Sequence, residues 1–295
     1  MSQPSVSLPL PEAVAAPRDH IRTEQAGRIA YYHDTRGDGR PLVLVHSINA
    51  APSTYEVKPL FEHYAGTRPV YSIDLPGFGH SERSERAYSA ELYANAIRAL
   101  LEQVVQAPAD VLALSLSAEF AARAALGSPA SVASLVLISP TGFSERGLPP
   151  QLVGQAVHGV IGARLWSQGL YDLVASRRSI RHYLGKSFQG QPPQALVDYA
   201  YATSHQPGAR HAPLIFLSTQ LFTREAVSKL YARLTTRPVL AIADRDPYVT
   251  FERLPELVAH QANWQQQSLG PHRGLPHWEQ PQALFAALDR FWATV

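Results

Sequence analysis

The sequence predicts an α/β protein built on a mostly parallel, doubly wound sheet, with a helical lid inserted before the penultimate strand. Three observations carry that prediction. Short, nearly continuous apolar runs recur along the chain at Leu42-Val43-Leu44-Val45, Val70-Tyr71-Ser72-Ile73, Val111-Leu112-Ala113-Leu114, Leu135-Val136-Leu137-Ile138 and Val239-Leu240-Ala241-Ile242. Such runs fit strands covered on both faces. Helix-compatible segments fall between them, at Ser89 to Val105, Leu116 to Leu126 and Pro281 to Phe291, and strand–helix alternation defines the class. Finally, the rhythm breaks once, between about residues 144 and 223.

In chain order, residues 1–20 read as a flexible N-terminal arm, because Pro4, Pro9, Pro11 and Pro17 interrupt any periodicity. Ile21 to Tyr32 reads as an antiparallel hairpin turning near Gly27. Residues 21–143 and 224–295 form the predicted core. The segment 144–223 holds Leu165 to Ser176, Ser179 to Phe188 and Gln194 to Thr203, broken by Pro149, Pro150, Pro192, Pro193 and Pro207. That composition reads as short helices, with Leu214 to Leu217 either a strand or part of another helix. Ligands of open α/β sheets bind beyond the carboxyl ends of the strands, so a helical insertion there would cover the site.

Composition narrows the function classes. The 295 residues are 45% apolar and 17% charged, which argues against disorder. There is no cysteine, so disulfides, thiolate metal sites and cysteine nucleophiles are excluded. Twenty-six basic against 24 acidic residues give a net charge of +2, which implies no nucleic-acid partner. No apolar stretch reaches the roughly 18–20 residues of a membrane span, and no basic start precedes an apolar block. The expectation is a cytoplasmic protein without membrane contact. No phosphate-binding glycine loop opens a helix, and the twelve histidines show no metal-ligand spacing. No cofactor or metal is expected, and the partner is a small-molecule substrate or ligand.

The residues that could carry chemistry begin at Ala113-Leu114-Ser115-Leu116-Ser117. A strand runs there straight into a helix through small side chains, as a nucleophile elbow requires. Small residues replace the two glycines of the usual Gly-x-Ser-x-Gly. Ser117 is the alternative, but its flank Glu119 is bulky, and either serine could instead be a helix N-cap. With Ser115 as centre, Ala118, Ala121 and Ala125 fall on the face that packs against the sheet.

Together with other motifs in one order, this segment resembles the α/β-hydrolase family over Ile21 to Val295, in its serine-nucleophile branch. Leu44-Val45-His46-Ser47 resembles the family's His-Gly after the third strand. Asp74-Leu75-Pro76-Gly77-Phe78-Gly79-His80-Ser81 matches its Asp-x-Pro-Gly-x-Gly-x-Ser loop. Pro129 to Ile138 resembles the segment after the nucleophile helix, Ala243-Asp244-Arg245-Asp246-Pro247 its acid loop, and Pro276-His277-Trp278-Glu279-Gln280-Pro281 the start of its last helix. The resemblance implies Ser115 as nucleophile and Asp246 as the carboxylate orienting a histidine, with Asp244 as a neighbouring alternative. It implies backbone N–H groups of Leu116 and Ile48 as the oxyanion hole. Ser47 stands where the family has glycine, and His46 reads as a loop-packing histidine.

The departure is at the base. Aligned without gaps, the family's catalytic histidine position falls on Gly274, and glycine can neither accept nor return a proton. His272 lies two residues earlier and His277 three later, so the base is His272, His277 or no histidine at all. Two functions follow. One is a hydrolase of carboxylic-ester type acting on an ester, acyl or C–C bond of a small, mostly apolar substrate through an atypical triad. The other is a small-molecule-binding protein that keeps the fold but is catalytically impaired. A non-hydrolytic lyase on the same scaffold is a weaker third.

Overall fold

The computed structural model describes residues 9–149, 159 and 167–295, and the eight strands and eleven α-helices named below lie among them. The strands are β1 (Arg18–Thr23), β2 (Gly27–Asp34), β3 (Leu42–Val45), β4 (Val70–Ile73), β5 (Ala109–Leu114), β6 (Val132–Ile138), β7 (Val239–Ile242) and β8 (Trp264–Gln267). They form one sheet in the order β1-β2-β4-β3-β5-β6-β7-β8. The β1/β2 and β2/β4 pairs are antiparallel and every other pair is parallel. The fold class read from the sequence is therefore the observed one.

Burial on both faces explains the apolar runs. Val43, Val45, Val111, Ala113, Leu135, Leu137, Val239 and Ala241 point to one face, where α2 (Ala90–Leu100) and α3 (Ser117–Gly127) cover them. Their alternates Leu42, Leu44, Leu112, Leu114, Val136, Ile138, Leu240 and Ile242 point to the other, against α1 (Lys58–Tyr64) and the last helix, α11 (Pro281–Trp292). The period of two along a strand produces that division. Ala118, Ala121 and Ala125 of α3 are fully buried, as the elbow reading requires, because only small side chains let the helix lie close to β5 and β6.

Between β6 and β7 come α4 (Ser167–Val174), α5 (Arg177–Lys186), α6 (Gln194–Ser204), α7 (His211–Leu217) and the short α8 (Ala226–Lys229). Leu214 to Leu217, left as strand or helix, is helical. Residues 150–158 and 160–166 of the predicted insertion lie outside the described residues. Two short helices, α9 (Leu254–His260) and α10 (Pro276–Glu279), follow on either side of β8.

The predicted arm 1–20 differs in its second half. Ala13 and Val14 are buried among the side chains of the outer face. Tyr32 donates to Glu12 and accepts from the Ala13 N–H, and Tyr199 donates to the Pro11 carbonyl at 2.8 Å. The apolar pair and these bonds hold residues 11–14 where the prolines alone suggested freedom, and β1 already begins at Arg18.

Candidate active site

Central strands β3, β5, β6 and β7 all end at the same edge of the sheet, and their carboxyl-terminal loops surround a largely apolar cavity of about 460 Å³. Ser115 lies at its floor, directly after β5. Its N–H continues the sheet by donating to Ile138 at 2.8 Å, while its carbonyl accepts from Ala118 in the first turn of α3. Serving both elements forces Ser115 to φ = 51°, a left-handed conformation that costs a non-glycine residue about 1–3 kcal/mol. Leu116, Ser47 and Ile48 line the cavity beside it. Val174, Ile180, Leu184, Leu196 and Phe216, from α4 to α7, supply much of the opposite wall.

Asp246, in the loop after β7, also lines the cavity. Its Oδ1 accepts the backbone N–H groups of Tyr248 at 2.8 Å and Val249 at 3.1 Å. Burial raises its pKa above the ordinary carboxylate value against the opposing effect of those two N–H groups. Gly274 packs directly on the same carboxylate. A Cβ at position 274 would fall 2.5 Å from Asp246 Oδ2, and the glycine has φ = 99°. Only glycine fits there with this backbone.

The structure brings Ser115, Leu116, Ile48, Ser47 and Asp246 to one cavity and leaves the other candidates outside it. His272 is buried against Asp244, not Asp246: its Nε2 donates to Asp244 Oδ2 at 2.6 Å and its Nδ1 accepts the Gly274 N–H at 3.2 Å. Both ring nitrogens are thereby engaged. Asp244 also receives the Ser268 hydroxyl and the Leu269 N–H. Burial pushes the Asp244 pKa up, but the bonds from His272, Ser268 and Leu269 outweigh it and hold the carboxyl below its usual value. His277 donates from Nε2 to the Glu56 carbonyl at 2.9 Å and its Nδ1 is buried without a partner. Burial lowers its pKa to about 3, so the ring is neutral. His46 donates to the Ser47 carbonyl and accepts the Leu75 N–H. Burial lowers its pKa too, so it packs the loop. Ser117 is fully buried and donates to the His46 carbonyl at 2.6 Å. No histidine lines the cavity among the described residues.

Two further cavity residues are not among the sequence candidates. Glu56, in the turn before α1, accepts the Ser47 N–H at 2.7 Å and the Ser47 hydroxyl at 2.9 Å. Its carbonyl takes the His277 and Trp278 ring N–H groups, which ties the Ser47–Ile48 loop to α10. Burial raises its pKa to about 7, against the opposing Ser47 bonds. A lone glutamate nine residues past Ser47 suggested nothing in advance. Ser139 follows β6 at φ = 47°, lines the cavity and is 2% exposed, with its hydroxyl buried beside the Asp246 carboxylate. Its place at the carboxyl end of a central strand was a usable pointer.

A shared sheet edge, a strained serine between strand and helix and an acid loop after β7 are the frame of an α/β-hydrolase site. A sequence model of the alpha/beta hydrolase family matches residues 42–288, and the chain belongs to that family. It is 30% identical over 145 residues to the dihydrolipoyllysine-residue acetyltransferase component of an acetoin cleaving system from Pseudomonas putida, covering 48% of this chain and 37% of that protein. It is 34% identical over 119 residues to a 1-acylglycerol-3-phosphate O-acyltransferase from Rattus norvegicus, covering 39% and 32%. The chain thus spans about a third of the length of these relatives. Among solved structures, a probable hydrolytic enzyme from Pseudomonas aeruginosa PAO1 superposes with a TM-score of 0.73 at 20% identity, over 94% of this chain and 95% of that one. That likeness shows the fold.

Proposed function

We propose that the protein is a serine hydrolase acting on an ester or related acyl or C–C bond of a small, mostly apolar substrate held in the 460 Å³ cavity. Ser115 is the nucleophile, and the backbone N–H groups of Leu116 and Ile48 hold the oxyanion. The observation that carries this reading is the left-handed backbone of Ser115 on the cavity floor. Strain of this kind persists where surrounding structure imposes it, and it gathers at reactive positions. The helices between β6 and β7 act as the lid, because their apolar side chains close the cavity over Ser115 and exclude water.

A second reading, a ligand-binding protein with impaired catalysis, draws on a specific observation. Gly274 abuts Asp246, and the imidazole of His272 is committed to Asp244. Without a base, a serine site retains only about 10³–10⁴ over water from binding and the oxyanion hole. A fluorophosphonate probe discriminates the two, because it reports nucleophilicity rather than substrate choice. Labelling of the wild type with none in Ser115→Ala is the expected result for the hydrolase. Failure of both proteins to label leaves the binding reading, and equal labelling of both removes Ser115 as nucleophile.

A further inference from the structure

The loop after β3 is folded around one side chain. Ser47 gives both of its donors to Glu56, the N–H to Oε2 at 2.7 Å and the hydroxyl to Oε1 at 2.9 Å. Asn49 Nδ2 donates to the Ser47 hydroxyl oxygen at 3.0 Å and to Glu56 Oε1 at 3.4 Å, and its Oδ1 accepts the Ala51 N–H at 2.8 Å. Between these anchors stands Ile48, which lines the cavity and whose N–H finds no acceptor among the described residues. An amide without an internal acceptor is rare in a folded chain. Glu56 is itself fixed from α10, because its carbonyl accepts the ring N–H groups of His277 at 2.9 Å and Trp278 at 2.8 Å. An amide side chain at position 56 would offer these donors one acceptor oxygen and turn its own NH2 toward them.

We propose that Glu56 is the positioning residue of the oxyanion hole: by taking both donors of Ser47, its carboxylate fixes the loop that presents the Ile48 N–H to the cavity. The hydroxyl at position 47, where the family resemblance puts glycine, is the second tether. The inference deepens the proposed function and rests on it for the role of the Ile48 N–H. The clamp is complete only while Glu56 is ionised, since a protonated oxygen turns from acceptor into donor. Burial opposes that charge and raises the pKa to about 7, against the Ser47 bonds. No cation offsets the burial among the described residues. His277 on α10 and His46 after β3 have their pKa values lowered by burial, Lys58 at the start of α1 pairs with Glu62, and Asp246 is the other acid lining the cavity. The fold therefore gains from the Glu56 proton, while the oxyanion hole gains from its charge.

The test follows fluorophosphonate labelling of Ser115 from about pH 5.5 to 8.5 in the wild type, Glu56→Gln and Ser47→Ala, with the Ile48 amide signal recorded by NMR over the same range. At the alkaline end Glu56→Gln is expected to label at least roughly tenfold more slowly than the wild type, short of the 10²–10³ lost with an oxyanion donor itself. Ser47→Ala should label a few-fold more slowly. The ratio of wild-type to Glu56→Gln rates should fall toward unity as pH drops through about 7. Over the same range the variant gains stability relative to the wild type as pH rises, and a merely structural role would not pair slower labelling with higher stability. The Ile48 signal should titrate with that midpoint in the wild type and stay fixed in Glu56→Gln. Labelling of Glu56→Gln within about twofold of the wild type at the alkaline end, a rate ratio flat across the range, or an Ile48 signal that does not titrate would each overturn the assignment. If Glu56→Gln does not fold, Ser47→Ala and the wild-type titration still decide. The NMR titration needs no reaction at Ser115, so a wild type that never labels removes the hydrolase reading and leaves this inference to the Ile48 signal.

Discussion

Gly274 stands where the family resemblance places the catalytic histidine, and its surroundings leave no room for a side chain on this backbone. With φ = 99° and Asp246 Oδ2 2.5 Å from the Cβ position, a histidine cannot simply be put back. Gly274→His should destabilise the fold by about 1–3 kcal/mol through backbone strain alone, with displacement of Asp246 adding to it. Esterase turnover should not rise above that of the wild type. Urea unfolding and an activated-ester assay on the same variant check both, and a stable, faster Gly274→His would mean that the loop readjusts freely. Ser115 was legible at this scale because a strand-to-helix switch with small flanks is a local pattern. Ser139 escaped notice because a serine after an apolar run looks like any strand end.

Two elements converge on the cavity through polar anchors, and each anchor predicts a measurable response. The loop from β8 to α10 is pinned to Asp244 by His272, Ser268 and Leu269. His272→Ala should cost about 1–3 kcal/mol of stability, since it strips a partner from a partly buried carboxylate, while leaving fluorophosphonate labelling of Ser115 nearly unchanged. A fall in labelling of about 10²–10⁴ would instead make His272 the general base. The turn before α1 is pinned by Glu56, whose folded-state pKa of about 7 lies above its ordinary value of 4.5. The folded protein therefore holds this proton where the unfolded chain has released it, so stability falls as pH rises from about 4.5 to about 7. The gap corresponds to roughly 3 kcal/mol. His277 acts in the opposite sense, because its folded pKa of about 3 makes stability fall as pH drops below 6.5. Glu56→Gln removes the first effect only, so its stability relative to wild type should grow by up to about 3 kcal/mol between pH 4.5 and 7.5. A constant difference in denaturant titrations across that range would contradict the assignment.

At the scale of the whole molecule, the sheet edge and the inserted helices meet across the cavity mouth. Tyr248, two residues after Asp246 and 56% exposed, donates from its hydroxyl to the Tyr183 carbonyl on α5 at 2.9 Å. This contact bridges the acid loop and the insertion. Tyr248→Phe should keep the ring and lose the bridge, worth about 0.5–1.5 kcal/mol at most, so that apolar ligands leave a few-fold faster by stopped-flow with the unfolding midpoint nearly unchanged. An unchanged off-rate would show that the insertion does not gate the cavity. The weakest sequence signal was also global: β8 reads Trp-Gln-Gln-Gln, and as an edge strand it buries Trp264 while Gln265 and Gln266 face solvent. An edge strand lacks the apolar run that reveals a central one.

The sequence by itself determined the doubly wound sheet, the elbow at Ser115 and the glycine at position 274, because burial periodicity and small-residue spacing are properties of neighbouring positions. Only the tertiary structure decided which partners each polar group found. Asp244 captures His272, Glu56 holds Ser47 and receives α10, and Asp246 packs against Gly274. Those pairings join segments far apart in the chain, where the direction of a loop selects among several chemically equivalent partners.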